Sequence, residues 1–571
     1  MSDVPDKVDV LIVGGGPCGL MLAIELGRRG IRVLLIDEKS DTAFNPQANA
    51  TQARTMEHYR RLGFARDIRK LGLPPDHPTD IAYFTRFTGH ELSRFSLPSS
   101  SESEALIRQL SGSWSAAELP HRVSQKFVER ILRREAEQCP SVSVHFGYRL
   151  IGFSEAADGV DAKIERVDTR VQSGVRTQYL VGADGPRSTV RKQLGIQYEG
   201  DASKNRDFMG GYMLAVYVRA PTFFATVPHA KAWMYCTFNR ERRSFMAAVD
   251  GVQDFAFHTQ LRSGEVEADI TAEDAKRMFQ QAVGMHIDIE VLSYCFWTAG
   301  YALVAERMSQ GRVFIGGDAA HLFTPAGGLG YNTAIEDAVN LGWKLAAVLK
   351  GQAGSELLES YQLERRPVAL RNTQFARAFA DSMGNYRAPP EIEEDSEAGR
   401  AARKRAGEYF GKHSRAEFNI PGITFGARYD GSPIIVPDGT VPPPHSTDTY
   451  VPTAVPGGRP PHLWLKDGQS LYDFFGKDWT LLRLGQNAPD ASEFSEAAQS
   501  LGIDLAVVEV PDEMVKALYE TSLVLIRPDQ IVAWRGTDAS QALAVLTQVT
   551  GSITEEGHTV SAIEGAAENA R

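Results

Sequence analysis

Residues Val8–Val13 form an unbroken apolar run of β-formers, the pattern of a strand buried on both faces. Gly14-Gly15-Gly16-Pro17-Cys18-Gly19 follows at once, then a helical stretch over Leu20–Arg28 and a second apolar strand at Arg32–Ile36. Asn45–Leu62 predicts a loop running into an amphipathic helix, and Lys126–Glu137 predicts another helix. Val142, Val144 and Phe146 alternate as a strand, and Val160, Ala162 and Ile164 alternate beyond the Asp158-Gly159 turn. Tyr179–Val181 and Val313–Ile315 are short apolar runs that each end at glycine. After the second, the chain breaks at Gly316-Gly317-Asp318 and crosses a loop holding Pro325, Gly327, Gly328 and Gly330. From about Asn332 it turns helical, with Ile335, Ala338, Leu341, Leu345 and Val348 on one stripe.

Two regions break this alternation of strand and helix. Residues 74–113 alternate weakly and are rich in Ser and Pro, as a piece inserted from another domain would be. Residues 197–298 are dense in aromatics and β-formers, with one helical patch at Ala272–Val283. They predict an inserted mixed sheet with one face free for an apolar ligand. Aromatics at this density serve a core more often than a ligand, and Trp233, Tyr235 and Trp297 are the candidate substrate contacts. The fold class is therefore α/β, a Rossmann-like nucleotide-binding domain with an inserted mixed-sheet domain. The division expected is 1–75, 114–195 and 299–410 for the first, and 76–113 and 196–298 for the second. Residues 411–461, proline-rich from Ile434 onward, are expected to be a semi-rigid tether to a last domain over 462–571.

Composition narrows the function. With 571 residues and 43% hydrophobic content, the chain is long enough for two to four domains at roughly 150 residues each. A net charge of -11 lacks the basic footprint that nucleic acid requires. The opening MSDVPDKVDV does not resemble a signal peptide, and no apolar run is long enough to span a membrane. Cys18, Cys139, Cys236 and Cys295 are scattered without metal-ligand or CxxC spacing, which fits free thiols in the cytoplasm and no metal site.

The chemistry-bearing positions cluster at the glycine-rich breaks. In Gly14–Gly19, Gly14 suits the tight turn, Gly16 the close approach of a pyrophosphate, and Gly19 helix–strand packing, with Pro17 opening the helix. Asp37, or Glu38 after it, can accept from a ribose hydroxyl; FAD and NAD share this fingerprint. Arg54 could fork onto a phosphate or hold its own loop. Asp184-Gly185 at a strand end is by itself an ordinary turn. The loop before Gly330-Tyr331-Asn332 leads into a helix N-terminus, where free N–H groups and the positive dipole end favour an anion.

Gly14–Gly19, Gly182–Arg191 and Gly317–Asn332 together resemble the three signatures of the FAD-dependent aromatic hydroxylases of the para-hydroxybenzoate hydroxylase fold, the single-component class A flavoprotein monooxygenases. The resemblance implies cofactor contacts at Asp184, Gly185 and Arg191 in the second signature and at Gly317 and Asp318 in the third. It places Arg54, Arg122 and Gln125 along the flavin and Pro325 beside its ring. It also implies NADH or NADPH as co-substrate, O2, a small phenolic substrate and a flavin C4a-hydroperoxide. Phe425–Ser432, Gly457–Leu465 and Leu523–Gly536 resemble the larger phenol hydroxylase subgroup, whose C-terminal domain is thioredoxin-like. Without a cysteine there, that domain would be structural or would form a homodimer. The sequence departs from the family at Gln47, where many relatives carry Arg, and at Asn49, aligned with an Asp near the substrate hydroxyl in some phenol hydroxylases. An amide cannot take a proton, so the base is left to a tyrosine or histidine of the inserted domain or to water. A flavin reductase or halogenase on the same fold, or a non-catalytic FAD-binding sensor or assembly subunit, are the rival readings; the W-x-W-x-I-P motif of halogenases is absent.

Overall fold

The first apolar run becomes the centre of a parallel sheet: Lys7–Val13 pairs with Val33–Asp37 on one side and with Gln172–Gly182 on the other. Val142–Phe146 extends it beyond the second strand, and Val313–Ile315 beyond Gln172–Gly182. The structure is a computed structural model that describes residues 4–202 and 211–552. Both faces of the sheet are covered, so Val10, Leu11 and Ile12 have no exposed surface. The helix Pro17–Gly27 starts three residues before the sequence pattern suggested, because Pro17 is preset for the first helical turn. The long helix also starts earlier, at Leu329, since Gly327 and Gly328 take left-handed conformations (φ 71° and 62°) and let the chain turn straight into it.

A second, seven-stranded sheet runs in the order Glu290–Thr298, Tyr212–Arg219, Asp254–Gln260, Arg243–Ala248, Met234–Phe238, Ile81–Phe84, Glu91–Phe95. The hairpin from the Ser/Pro-rich stretch is thus its edge, joined through parallel pairing of Ile81–Phe84 with Met234–Phe238. Register sets one row across this sheet: Cys295, Ala215, His258, Phe245, Cys236 and Tyr83 lie side by side. Side chains alternate along each strand, so this row and its i±2 neighbours Tyr217, Ser293 and Trp297 share one face. The opposite face buries Phe257 against Phe279 of the helix Ala272–Val283.

The face carrying that row looks toward the nucleotide-binding domain and its later helices. Tyr83 stacks on Phe410 of the helix Glu397–Phe418 at 4.5 Å, Ser293 bonds Asn45, and Lys126 donates to the Tyr217 hydroxyl at 3.0 Å. Residues 411–461 are not a free tether. The helix Glu397–Phe418 runs straight through the expected boundary, and Ile420, Ile423, Phe425, Ile434 and Tyr450 are buried apolar anchors. The last domain is thioredoxin-like. Its four strands order as Leu505–Val510, Trp479–Leu484, Leu523–Ile526 and Val532–Gly536, with only the first pair parallel.

Candidate active site

The glycine corner has the geometry of a dinucleotide cradle. Gly14 sits at φ 116°, and a Cβ there would lie 2.1 Å from the Ala183 carbonyl oxygen; one at Gly19 would lie 1.9 Å from that of Gly14. A Cβ on Gly16, in contrast, would meet no protein atom within 4 Å. The backbone therefore closes tightly behind the turn and leaves its front open at the N-terminus of Pro17–Gly27, where helix N–H groups and dipole receive a phosphate. Asp37 organises the turn: its carboxylate accepts from the Gly15 N–H at 2.7 Å and the Lys39 N–H at 2.8 Å. Glu38, the alternative acid, is exposed beyond the strand end.

The second and third signatures are joined to each other. The Asp184 carboxylate accepts from Ser188 Oγ and from the Thr189 and Val190 N–H groups, and Gly185 takes φ 76° in the turn. Arg191 donates to the Ile196 carbonyl at 3.1 Å and stacks 3.9 Å over Tyr198, whose hydroxyl donates to the Asp318 carbonyl. These two side chains were expected to touch cofactor. They are occupied by the protein itself, because a short helix start needs a cap and a turn needs a clasp. What they present to a ligand is the shaped turn. Asp318 opens onto solvent yet is crowded by protein, and that partial desolvation pushes its carboxyl above the ordinary value. Behind it, the fully buried Asp337 accepts from the Gly317 N–H (3.1 Å), His321 Nε2 (2.6 Å) and Arg365 Nε (2.8 Å). His321 is a packing residue of this loop.

Pro325 is exposed at the start of the next loop. Gly327 is held from both sides, donating to Glu417 at 2.8 Å and accepting from Gln52 Nε2 at 3.0 Å. Asn332 accepts from the Gln52 N–H and donates to the Ala50 and Gly328 carbonyls, and the Tyr331 and Tyr59 hydroxyls share a hydrogen bond of 2.5 Å. The helix N-terminus at Leu329-Gly330 is thereby fixed against the loop 45–52. Gln125 Nε2 donates to Glu129 at 2.7 Å and lies 3.5 Å from Gln47 Oε1, which ties the loop 45–52 to the helix Gln125–Glu137. Asn49 is half-buried, and its Oδ1 has no hydrogen-bond partner among the described residues.

Two expectations fail. Arg54 does not face the groove: it donates to Glu57, to the Gln530 side chain and to the Asp529 and Gln530 carbonyls, tying its helix to the last domain. A buried guanidinium needs most of its donors satisfied, and only that domain supplies enough oxygens. Tyr235 is one position out of phase with the ligand-facing row; its ring packs between Phe84, Phe87 and Phe223 in the core behind. Trp297 lies on the same face as His258, and Trp233 receives the Arg122 guanidinium 4.3 Å over its ring. Arg122 is buried without a hydrogen-bond partner among the described residues, and burial lowers it to about 10. Sequence reasoning singled out neither His258 and Phe245, which stack beside Trp297, nor Gln52 and Glu417, which hold Gly327. None carries a motif; only the alternation of Phe255 and Phe257 with His258 hints that this histidine faces away from the core.

Comparison with known proteins agrees with this geometry. Residues 7–376 match the family described as FAD binding domain, and residues 453–553 match the aromatic-ring hydroxylase C-terminal family. The chain is 31% identical to the FAD-dependent monooxygenase apdD of Emericella nidulans, over 98% of this chain and 93% of that protein. It is 29% identical to the phenol 2-monooxygenase of a Pseudomonas species, over 94% and 91%. Among solved structures, the rebeccamycin biosynthetic enzyme RebC with reduced flavin superimposes with a TM-score of 0.84 at 32% identity, covering 96% of this chain and 100% of that one. Aklavinone-11 hydroxylase in complex with FAD and aklavinone gives 0.78 at 28% identity, covering 96% and 100%. No helix among the described residues is long and apolar enough to cross a membrane, and no cluster of metal-ligating side chains is present among them. With a glycine cradle and matches over nearly its whole length, the chain belongs to the FAD-dependent aromatic-ring hydroxylases, the flavoprotein monooxygenases of this fold.

Proposed function

We propose that the protein hydroxylates a phenolic ring, taking electrons from NADH or NADPH and one oxygen atom from O2, and releasing the other as water. The observation that carries this reading is the open glycine cradle at Gly16, in a chain that matches the FAD binding domain and the aromatic-ring hydroxylase C-terminal families. Bound FAD supplies the redox chemistry, accepting two electrons from the nicotinamide and passing them to O2. The chain's residues do the rest. Gly16 and the start of Pro17–Gly27 hold the pyrophosphate, and Asp37 and Glu38 lie where the ribose would sit. The free N–H groups at Leu329 and Gly330, at the start of their helix, would favour negative charge on a bound flavin ring. Trp297 and Phe245 orient the aromatic substrate, and the apolar wall around them excludes water, so that reduced oxygen is delivered to the ring rather than lost as hydrogen peroxide. Four unpaired thiols suit a reducing cytoplasm, and the last domain, built into the body by buried ion pairs, serves as a structural brace.

The test is rapid mixing of the purified yellow protein with NADH or NADPH and a panel of phenols, followed by oxygen. We expect one phenol to accelerate bleaching of the flavin band and hydroxylated product to match the O2 consumed. Hydrogen peroxide as the only product across the panel would overturn the hydroxylase reading; protein that folds without retaining flavin would overturn the site.

A further inference from the structure

In place of the acid that some relatives carry near the substrate hydroxyl, this chain has Asn49, and an amide cannot remove a proton. The sheet offers another group. His258 stands in the middle of the row Cys295, Ala215, His258, Phe245, Cys236, Tyr83, on the face that meets the nucleotide-binding domain through Ser293–Asn45 and Tyr217–Lys126. Its imidazole is stacked on the Phe245 ring at 4.6 Å with planes 9° apart, and meets the Trp297 ring edge-on at 6.0 Å. It is 9% exposed, and no hydrogen bond to the protein satisfies its Nδ1; the indole N–H of Trp297 is likewise buried without a partner. Buried polar groups are almost always hydrogen-bonded. Two of them, on rings in contact with each other, are groups kept for a ligand.

The surroundings decide what ligand. On the same face the titratable neighbours Tyr83, Tyr217, Cys236 and Cys295 are each pushed upward by burial, so all four are neutral, and Asp254 is paired with Arg219 and accepts from the Tyr217 hydroxyl. The cations of this face are committed elsewhere: Lys126 to Tyr217, and Arg243 to the Gly384 and Tyr386 carbonyls. At the far end Arg122 lies over Trp233, and Glu417 is tied to the Gly327 N–H. His258 therefore feels no charge in its surroundings; dry burial alone lowers it to about 4, which keeps the ring neutral and able to accept. A permanently charged ligand would find no counter-charge beside His258, whereas a hydroxyl on an aromatic ring could stack beside Phe245 and Trp297 and donate to the imidazole.

We propose that His258 is the general base of the reaction, accepting the proton of the substrate's phenolic hydroxyl while the Trp297 N–H donates to the oxygen left behind. The phenolic O–H bond breaks and an imidazole N–H bond forms, giving a phenolate beside an imidazolium, a pair without net charge. The phenolate stabilises the imidazolium by direct attraction, so the base strength that burial removes is restored only when the substrate is seated. Deprotonation makes the ring more nucleophilic toward the oxygen delivered to it, and the imidazolium returns its proton to the product oxygen on release. The substrate class that follows is a phenol whose hydroxyl points at the sheet rather than at the loop 45–52. This inference rests on the phenol-hydroxylating reading above.

The experiment uses the holoenzyme and a His258→Phe variant, which preserves the stack and its burial, with His258→Gln as a second variant. The probes are phenol, resorcinol and a naphthol. The probe turned over by wild type is carried forward, and its ionisation on binding is read from ultraviolet difference spectra before any turnover. Wild type should bind it partly as phenolate at neutral pH, and both variants should bind it as the neutral phenol. Product formation should fall by about 100-fold in the variants at neutral pH, within the range for a lost general base. That gap should close as the pH rises past the phenol's own pKa, where solvent has already removed the proton. A loss equal at every pH, or an unchanged phenolate spectrum in His258→Phe, would reduce His258 to a packing residue and overturn the proposal. Failure of wild type to hydroxylate any probe would instead remove the reading on which it rests, and the proposal with it.

Discussion

At the scale of single residues, the glycine corner separates what the fold needs from what a ligand needs. Gly14 serves the fold: a side chain there collides with the Ala183 carbonyl, and φ 116° is a region that other residues rarely adopt. Gly16 has ordinary extended backbone at φ -79° and ψ -175°, with open space in front of it. Alanine at position 16 should therefore leave the protein's own stability within about 0.5 kcal/mol of wild type. It should still weaken FAD binding by tenfold or more, because the methyl group stands where the pyrophosphate must come. Titration of the apoprotein with FAD, followed by the change in flavin fluorescence, and thermal melting of the same apoprotein make the comparison. Gly16→Ala binding FAD as tightly as wild type would mean that the pyrophosphate lies elsewhere. Gly14→Ala provides the contrast, with loss of both stability and binding. The shape of this turn was legible in the sequence because each of its requirements is met within a few residues of chain.

At the scale of elements, legibility falls with the distance over which partners must be found. Strands and helices with a clear period appear where the pattern placed them, but their ends move wherever a proline or a left-handed glycine sets the first turn. The inner and outer faces of the seven-stranded sheet were not readable, because face depends on register with strands far away in sequence. Tyr235 and Cys236 are neighbours in the chain, yet one packs in the rear core and the other lies in the row with His258. Arg54 shows the extreme case: its decisive partner, Gln530, is 476 residues away. The long helix Leu329–Leu349 illustrates what such contacts achieve, since Asp337 on its inner side holds the Gly317 turn, His321 and Arg365 together. Asp337→Asn keeps the shape but removes the charge that these donors need. Breaking a buried pair of this kind costs about 3–5 kcal/mol, so the melting temperature should drop by several degrees. FAD affinity should fall with it, since the third signature turn loses its support. A variant that melts like wild type and binds FAD normally would show that the turn is held by backbone alone.

At the scale of the whole molecule, the last domain is attached through charges that have almost no contact with water. Glu364 accepts from Lys344, Asn340 and both Nη atoms of Arg527, and Arg527 also pairs with Asp529. A second cluster joins the helix Ala53–Arg61 to the segment entering the last domain, with Glu57 between Arg54 and Arg459. Burial alone would raise the Glu57 carboxyl, but the two guanidiniums outweigh it and hold it at about 2, against 4.5 for an ordinary glutamate. A carboxyl depressed in the folded state contributes stability that is present in full above the unfolded value. That stability is lost as pH falls from about 4.5 through about 2. The difference corresponds to roughly 3 kcal/mol at neutral pH. Glu57→Gln should therefore be less stable than wild type at neutral pH, and the two stabilities should converge as the pH is lowered through that window. Urea unfolding at a series of pH values, followed by tryptophan fluorescence, measures the convergence. Parallel curves from pH 7 to pH 3 would mean that the carboxylate is not held by its arginines. Since Arg54 is shared between Glu57 and the Asp529-Gln530 backbone, the same variant should also loosen the last domain. The loop 45–52 leads directly into this helix and, through Gln52 and Asn332, braces the helix start at Leu329, proposed above to meet the flavin. Loosening at one end should therefore appear at the other as weaker FAD retention, which places the thioredoxin-like domain within the mechanics of the active site although it contributes no group to the chemistry.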